Sequence, residues 1–233
     1  WFTALWLQFS AMVIVFACAL IGAAVLPSFA DMKSLSLGWV AQIWLRNVLL
    51  LILIAGGLHF WFFTIKGQGR AYKFDQREQA TNNKQFLFRN QVHENVFFSL
   101  VFVVGLMSAY EIGYFWAAAN GFAPVFFLTL GNPLGSLWFL VLMLVIPIWS
   151  SFHFYWVHRL LHWPLRYKLA HGLHHKNINV GPWSGVSMHP VEHVLYYSSL
   201  LVHFVVPTHP ILFVFHVCYL NLGPPFSHAG FEQ

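Results

Sequence analysis

Long uncharged apolar runs alternate with short polar connectors along most of this 233-residue chain. No formal charge occurs from Trp1 to Ala30, and Pro27 closes that first run. Asp31 and Lys33 sit in a connector, and a second apolar run follows whose stretch from Asn47 to Ile65 is again uncharged. At about 1.5 Å per residue, a helix over that stretch alone nearly crosses a ~30 Å hydrocarbon core. A polar loop occupies 66–94, a third apolar run covers 96–119, and a fourth covers 137–157. The third run holds one acidic residue, Glu111, which reads as a polar group near the surface opposite the loop. The stretch from Val194 to Gly230 lacks formal charge too, but Pro207-Thr208-His209-Pro210 breaks it into two halves. Each half is short for a ~20-residue span, so the pattern predicts a helical hairpin dipping into the bilayer. The predicted fold is all-α and integral to the membrane: about four transmembrane helices, a re-entrant or hairpin helical pair, and a histidine-rich helical cap in the cytosol.

Composition agrees. The chain is 58% hydrophobic and 8% charged, against roughly 25% charged in soluble domains. Cys18 and Cys218 lie in separate apolar runs without a C-x-x-C pairing, so neither a disulfide framework nor a cysteine zinc site is indicated. The net charge of +5 does not imply nucleic acid as a partner, because the basic residues sit in loops between apolar runs. Six of the twelve Lys and Arg residues fall in 66–94, which makes that loop cytoplasmic by the positive-inside tendency. Two spans later the chain is back on the same side, where Arg159, Arg166, Lys168 and Lys176 add to the basic face. The active face is thus expected in the cytoplasm, at a bacterial inner membrane or the endoplasmic reticulum. The whole of 1–233 reads as one membrane domain, with 1–157 mainly spanning and 158–233 carrying the chemistry.

That chemistry lies in histidine. Eight of the fourteen histidines fall between His153 and His193. His158 and His162 are one helical turn apart and share a face. His171, His174 and His175 repeat the idea as H-x-x-H-H, and His189 and His193 are again four apart with Pro190 suited to a first helical turn. A tetrahedral zinc needs three or four ligands, so seven or more imidazoles argue for two metals, and imidazole suits iron and zinc alike. His153 turns off the ligand face, and His59, His93, His203, His209 and His216 read as hydrogen-bonded packing residues. His228 joins the cluster only if the hairpin returns the chain to the cytoplasmic side. Glu192, between His189 and His193, is the candidate catalytic carboxylate, acting by orienting a ligand imidazole.

At these residues the sequence resembles a known family. Y-W-V-H-R-L-L-H, H-G-L-H-H, M-H-P-V-E-H and S-H-A-G-F-E look like the fatty acid hydroxylase/sterol desaturase superfamily of membrane oxygenases. The resemblance runs from Gln91 to the C-terminus and is strongest from Phe152 to His193. It implies O2-dependent hydroxylation or desaturation of an unactivated C–H bond in a lipid, at two iron ions held by histidines; zinc can occupy such sites in purified protein. Carried over, His158, His162, His171, His174, His175 and His193 fall on ligand positions, and His189 and His228 on further motif positions. Members of the family carry another H-x-x-H-H near the C-terminus and none follows His228, so the chain is expected to be cut before it. No haem or flavin motif appears, so electrons are expected from a separate small haem or iron–sulfur carrier with its reductase. The basic loop and Arg166 and Lys168 offer such a carrier a docking face.

The competing classes fit less well. A membrane cytochrome does not need H-x-x-H-H triplets. A metal transporter would carry ionisable residues through the middle of several spans. An intramembrane zinc protease would show H-E-x-x-H.

Overall fold

The structure is a computed structural model that describes residues 2–70, 72–129 and 131–231, with side chains from Ser10 onward. The motif residue Glu232 lies outside the described residues. The described residues form helices and loops, with no strand beyond isolated bridges. Helix α1 spans Phe2–Ala24. Helices α2 (Leu37–Thr64), α3 (Gln91–Ala119) and α4 (Pro133–Leu161) are each long and apolar enough to cross a membrane. Leu144 and Ile148 on α4 remain 66% and 68% exposed, as expected of side chains that face hydrocarbon rather than water. The fold is an all-α integral membrane fold.

Local chemistry sets the helix ends. Asn90 caps α3 by accepting the His93 N–H, and Asn132 caps α4 by accepting that of Gly135, with Pro133 at the first helical position. Pro147 removes one amide donor inside α4. The hydroxyls of Ser150 and Ser151 donate to the Ile146 and Pro147 carbonyls at 2.8 and 2.9 Å. The helix runs four residues past the expected end at 157, and so carries His158 in its last turn. Trp163, extended as a residue before proline tends to be, breaks the chain into a short helix α5 over 164–175.

The expected hairpin is present. Helix α6 (Pro190–Tyr197) continues as a tighter 3-10 stretch, Ser198–Phe204, and α7 (Pro210–Ser227) returns. The descending arm is about 26 Å long by its helical rises. At its tip Thr208 pairs with Val125, and Trp138 Nε1 donates to the Pro207 carbonyl at 2.9 Å. Both partners lie at the end of the bundle away from the histidines, so the hairpin traverses the bundle. Leu212, Phe213 and Val214 on α7 are wholly buried in the apolar core shared with α1, α2 and α4.

Two polar features complete the frame. The sequence reading put Glu111 near a surface; the structure buries it fully and pairs it with the guanidinium of Arg46 on α2. Asn47 Nδ2 also donates to Glu111 at 2.9 Å, and Arg46 donates to the Gly22 carbonyl of α1. The loop 66–94 lies over the histidine end. Asn179 Nδ2 donates to the Arg77 carbonyl, Lys176 pairs with buried Glu94, and Phe74 N–H donates to the Gly230 carbonyl at 3.1 Å. Gly230 sits at φ +82, and an added Cβ would meet the Val180 carbonyl oxygen at 2.8 Å, which accounts for glycine in S-H-A-G-F-E.

Candidate metal centre

Four imidazoles converge where α4 ends. The nearest ring nitrogens of His158, His162, His171 and His175 all lie within 4.8 Å of one another. His158 projects from the last turn of α4 and His162 from its C-cap, and His171 and His175 from successive turns of α5, so two one-turn pairs face each other. Within each pair the Nε2 atoms approach to 3.0 Å (His158 and His162) and 2.9 Å (His171 and His175). Nitrogens bound at right angles to a metal at about 2.1 Å would themselves be about 3.0 Å apart. Each pair therefore has the spacing of neighbouring ligands on one metal ion, and the donor type suits a metal as well.

The remaining candidates are arranged around this set. His174 stacks on His171 at 6.0 Å between ring centroids and faces His228 at 5.6 Å. The return of α7 thus brings His228 to the cluster. Glu192 Oε1 lies 2.7 Å from His171 Nδ1, both side chains being buried. His193 is wholly buried, with Nε2 3.0 Å from the Val186 carbonyl. His189 occupies the N-cap of α6, where its Nδ1 accepts the Val191 N–H at 3.3 Å. His153 stands apart, 3.0 Å from the Ser198 hydroxyl.

A shared pattern of hydrogen bonding fixes which nitrogen each ring offers. His171 Nδ1 faces the Glu192 carboxylate, His174 Nδ1 the Ser187 carbonyl, His228 Nδ1 the Pro224 carbonyl, and His193 Nε2 the Val186 carbonyl. Carboxylates and carbonyls only accept, so each of these ring nitrogens is the N–H and the other holds a lone pair. That is the outer-shell arrangement of metal-ligating histidines. The lone-pair nitrogen of His193, Nδ1, is buried with no hydrogen-bond partner, as is Glu192 Oε2. An orphaned buried acceptor is costly unless something cationic or protic meets it. Burial also lowers the proton affinity of several rings in the cluster. It pulls His174 down to about 3, with His228 adding to the effect, and His193 down to about 4. His175 and His228 are lowered by the same cause. Neutral imidazole is the form that ligates metal.

The centre opens on an apolar cavity of about 740 Å³ between α1, α4 and α7. His158, His174, Glu192 and His228 form its polar end, and Met12, Val15, Phe154 and Leu220 line its sides. That volume falls in the range of small-molecule sites.

Residues 139–233 match the fatty acid hydroxylase family. Relatives over more of the chain are Delta(7)-sterol 5(6)-desaturases. That of Gibberella zeae is 25% identical over 182 residues, covering 77% of this chain and 54% of the relative. That of Candida glabrata is 26% identical, covering 69% and 44%. One from Aspergillus fumigatus reaches 30% identity over 56% of this chain and 38% of its own length. The chain thus spans about half the length, or less, of these relatives. No solved structure matches it. All of the histidines and the glutamate considered for the centre fall within the fatty acid hydroxylase region.

The sequence pattern does not reveal the backbone carbonyls of Val186, Ser187 and Pro224 that orient the imidazoles. Carbonyls carry no residue signature. The pairing of His203 with His216, read in the sequence as two separate packing residues, was equally hidden.

Proposed function

We propose that this chain is the membrane-embedded part of a lipid oxidase. It hydroxylates or desaturates an unactivated C–H bond at a histidine-held pair of iron ions, using O2 as co-substrate. The observation that carries the reading is the convergence of imidazoles at the mouth of an apolar cavity among the apolar helices. His158, His162, His171 and His175 would hold one ion. We assign a second ion to His174, His193 and His228, each with one ring nitrogen turned away from its backbone carbonyl partner, with His189 at the edge of the set. Bound iron would supply the one-electron chemistry with O2 that carbon–hydrogen oxidation demands.

The side chains around it do the rest. Glu192 holds His171 in one orientation and tautomer. Apolar walls exclude water and keep the chain of a lipid extended toward the histidines. Zinc would bind the same imidazoles without redox activity. Electrons would come from a separate small haem or iron–sulfur carrier approaching the basic face, which we place in the cytoplasm by its loop charges. That the relatives are sterol desaturases supports a lipid of that general class.

Metal analysis of the purified protein beside a His171→Ala variant tests this. Iron or zinc in the parent and its loss in the variant are expected, with a gain of one oxygen or loss of two hydrogens in lipids of expressing cells. A parent free of both metals and unchanged lipids would overturn the reading.

A further inference from the structure

His203, in the 3-10 stretch after α6, and His216, on α7, are both buried at membrane depth and are not used by the metal centre. Their rings meet, with His203 Nε2 2.8 Å from His216 Nδ1. His203 Nδ1 lies 2.7 Å from Thr208 Oγ1, and His216 Nε2 lies 2.9 Å from Ser150 Oγ. Ionisable side chains at such depth are expensive and mark function where they border a cavity. Ser150 does border one, on the wall of the same 740 Å³ cavity that opens on the metal centre.

The protons of this chain order in two ways. In the first, Thr208 donates to His203, His203 to His216, His216 to Ser150, and Ser150 to the Ile146 carbonyl at 2.8 Å. In the second, Ser150 donates to His216, His216 to His203, His203 to Thr208, and Thr208 to the Val206 carbonyl at 2.9 Å. Both leave the imidazoles neutral and every link made. In both, the single proton of Ser150 is spent inside the protein, while its oxygen keeps a lone pair in reserve. Ser199 Oγ, 3.2 Å from the same His216 nitrogen, can take the place of Ser150 as its partner, and in every order Ser150 keeps a lone pair to accept a hydrogen bond from the cavity.

We propose that Ser150, backed by His216 and His203, is a recognition site for a hydroxyl group on the lipid in the cavity, remote from the carbon that is oxidised. Ser150 and His158 are eight residues apart on one helix, which places the hydroxyl about 12 Å from the reacting carbon. Phe154, Met12, Val15 and Leu220 line the space between them, so the ligand's middle is hydrocarbon. This assignment rests on the cavity being the substrate site of the proposed lipid oxidase.

The test uses the detergent-solubilised, metal-loaded chain with two probes, dodecanol and its α,ω-diol, and reads ligand affinity from tryptophan fluorescence. The diol is expected to bind roughly tenfold more tightly, the scale of one hydrogen bond to an otherwise open acceptor. That preference should vanish in Ser150→Ala and persist in Ser150→Thr, which keeps the hydroxyl. Equal affinities in the parent, or a preference that survives Ser150→Ala, would overturn the proposal. The parent comparison decides it alone should Ser150→Ala fail to fold. Lipid oxidation is measured in parallel on the parent. Oxidation without diol preference sinks only the hydroxyl site, and diol preference without oxidation sinks only the oxidase reading.

Discussion

His171 Nδ1 and Glu192 Oε1 lie 2.7 Å apart in a site from which water is excluded. The carboxylate accepts the ring N–H and turns the opposite nitrogen toward His158, His162 and His175. Glu192 is thus a positioning residue. Glu192→Ala is expected to weaken metal binding about 10- to 100-fold while leaving the fold intact. Glu192→Gln, whose amide oxygen still accepts, should lose less. Metal titration of the two variants checks the order; equal losses would point to the carboxylate's charge instead of its orienting bond.

Gly185 bears on the same centre from the other side. A Cβ there would stand 2.6 Å from the Pro224 carbonyl carbon and oxygen, backbone atoms that have no room to give. The Pro224 carbonyl also takes the His228 Nδ1 proton. Gly185→Ala is therefore expected to push the end of α7 outward, costing about 1–3 kcal/mol by overpacking. It should also lower metal occupancy by displacing His228 from His174. Thermal unfolding and metal content, measured together, check both halves.

Removing metal should loosen the cap more than the bundle. His158 lies in the last turn of α4 and His162 caps it, whereas His171 and His175 belong to α5, so a bound ion ties the two together across the Trp163-Pro164 break. Ligand linkage stabilises the bound state by about 2.7 kcal/mol when free metal exceeds its dissociation constant about a hundredfold. Chelation is expected to lower the unfolding midpoint and to raise amide exchange over 164–176 well before α3 or α7. Uniform exchange across the chain would show that the imidazoles do not bridge the two elements.

Much of this was legible in the sequence, for physical reasons. Helical spans announce themselves through charge-free runs long enough for a bilayer, and His158 with His162 through the helical turn. The hairpin was legible because Pro207 and Pro210 interrupt an uncharged stretch that no single helix can fill, and it alone brings His228 to His174. Partners that are backbone atoms were not legible, nor were polar contacts between residues far apart in the chain. Arg46 and Glu111 stand 65 positions apart, and nothing local in either helix signals the other. His203 and His216 likewise read as isolated residues because their link depends on how the two hairpin arms pack.

Arg46 and Glu111 offer a further test, one that leaves the metal centre aside. Glu111 is fully buried, with one oxygen taken by Arg46 and Asn47 and the other without a hydrogen-bond partner. Arg46 donates in addition to the Gly22 carbonyl, so the pair joins α1, α2 and α3 at one point. Two opposite charges in a medium without water attract strongly, but each gave up its hydration to be there, and the net gain over apolar side chains is small. Removing one partner is different, because it strands the other charge. Glu111→Leu alone is expected to destabilise by about 3–5 kcal/mol, whereas Arg46→Met with Glu111→Leu together should recover most of that loss. Denaturation in detergent of the two variants and the parent measures the coupling. A double variant as unstable as the single would mean that the pair, with its bonds to Asn47 and Gly22, contributes more than the desolvation it costs.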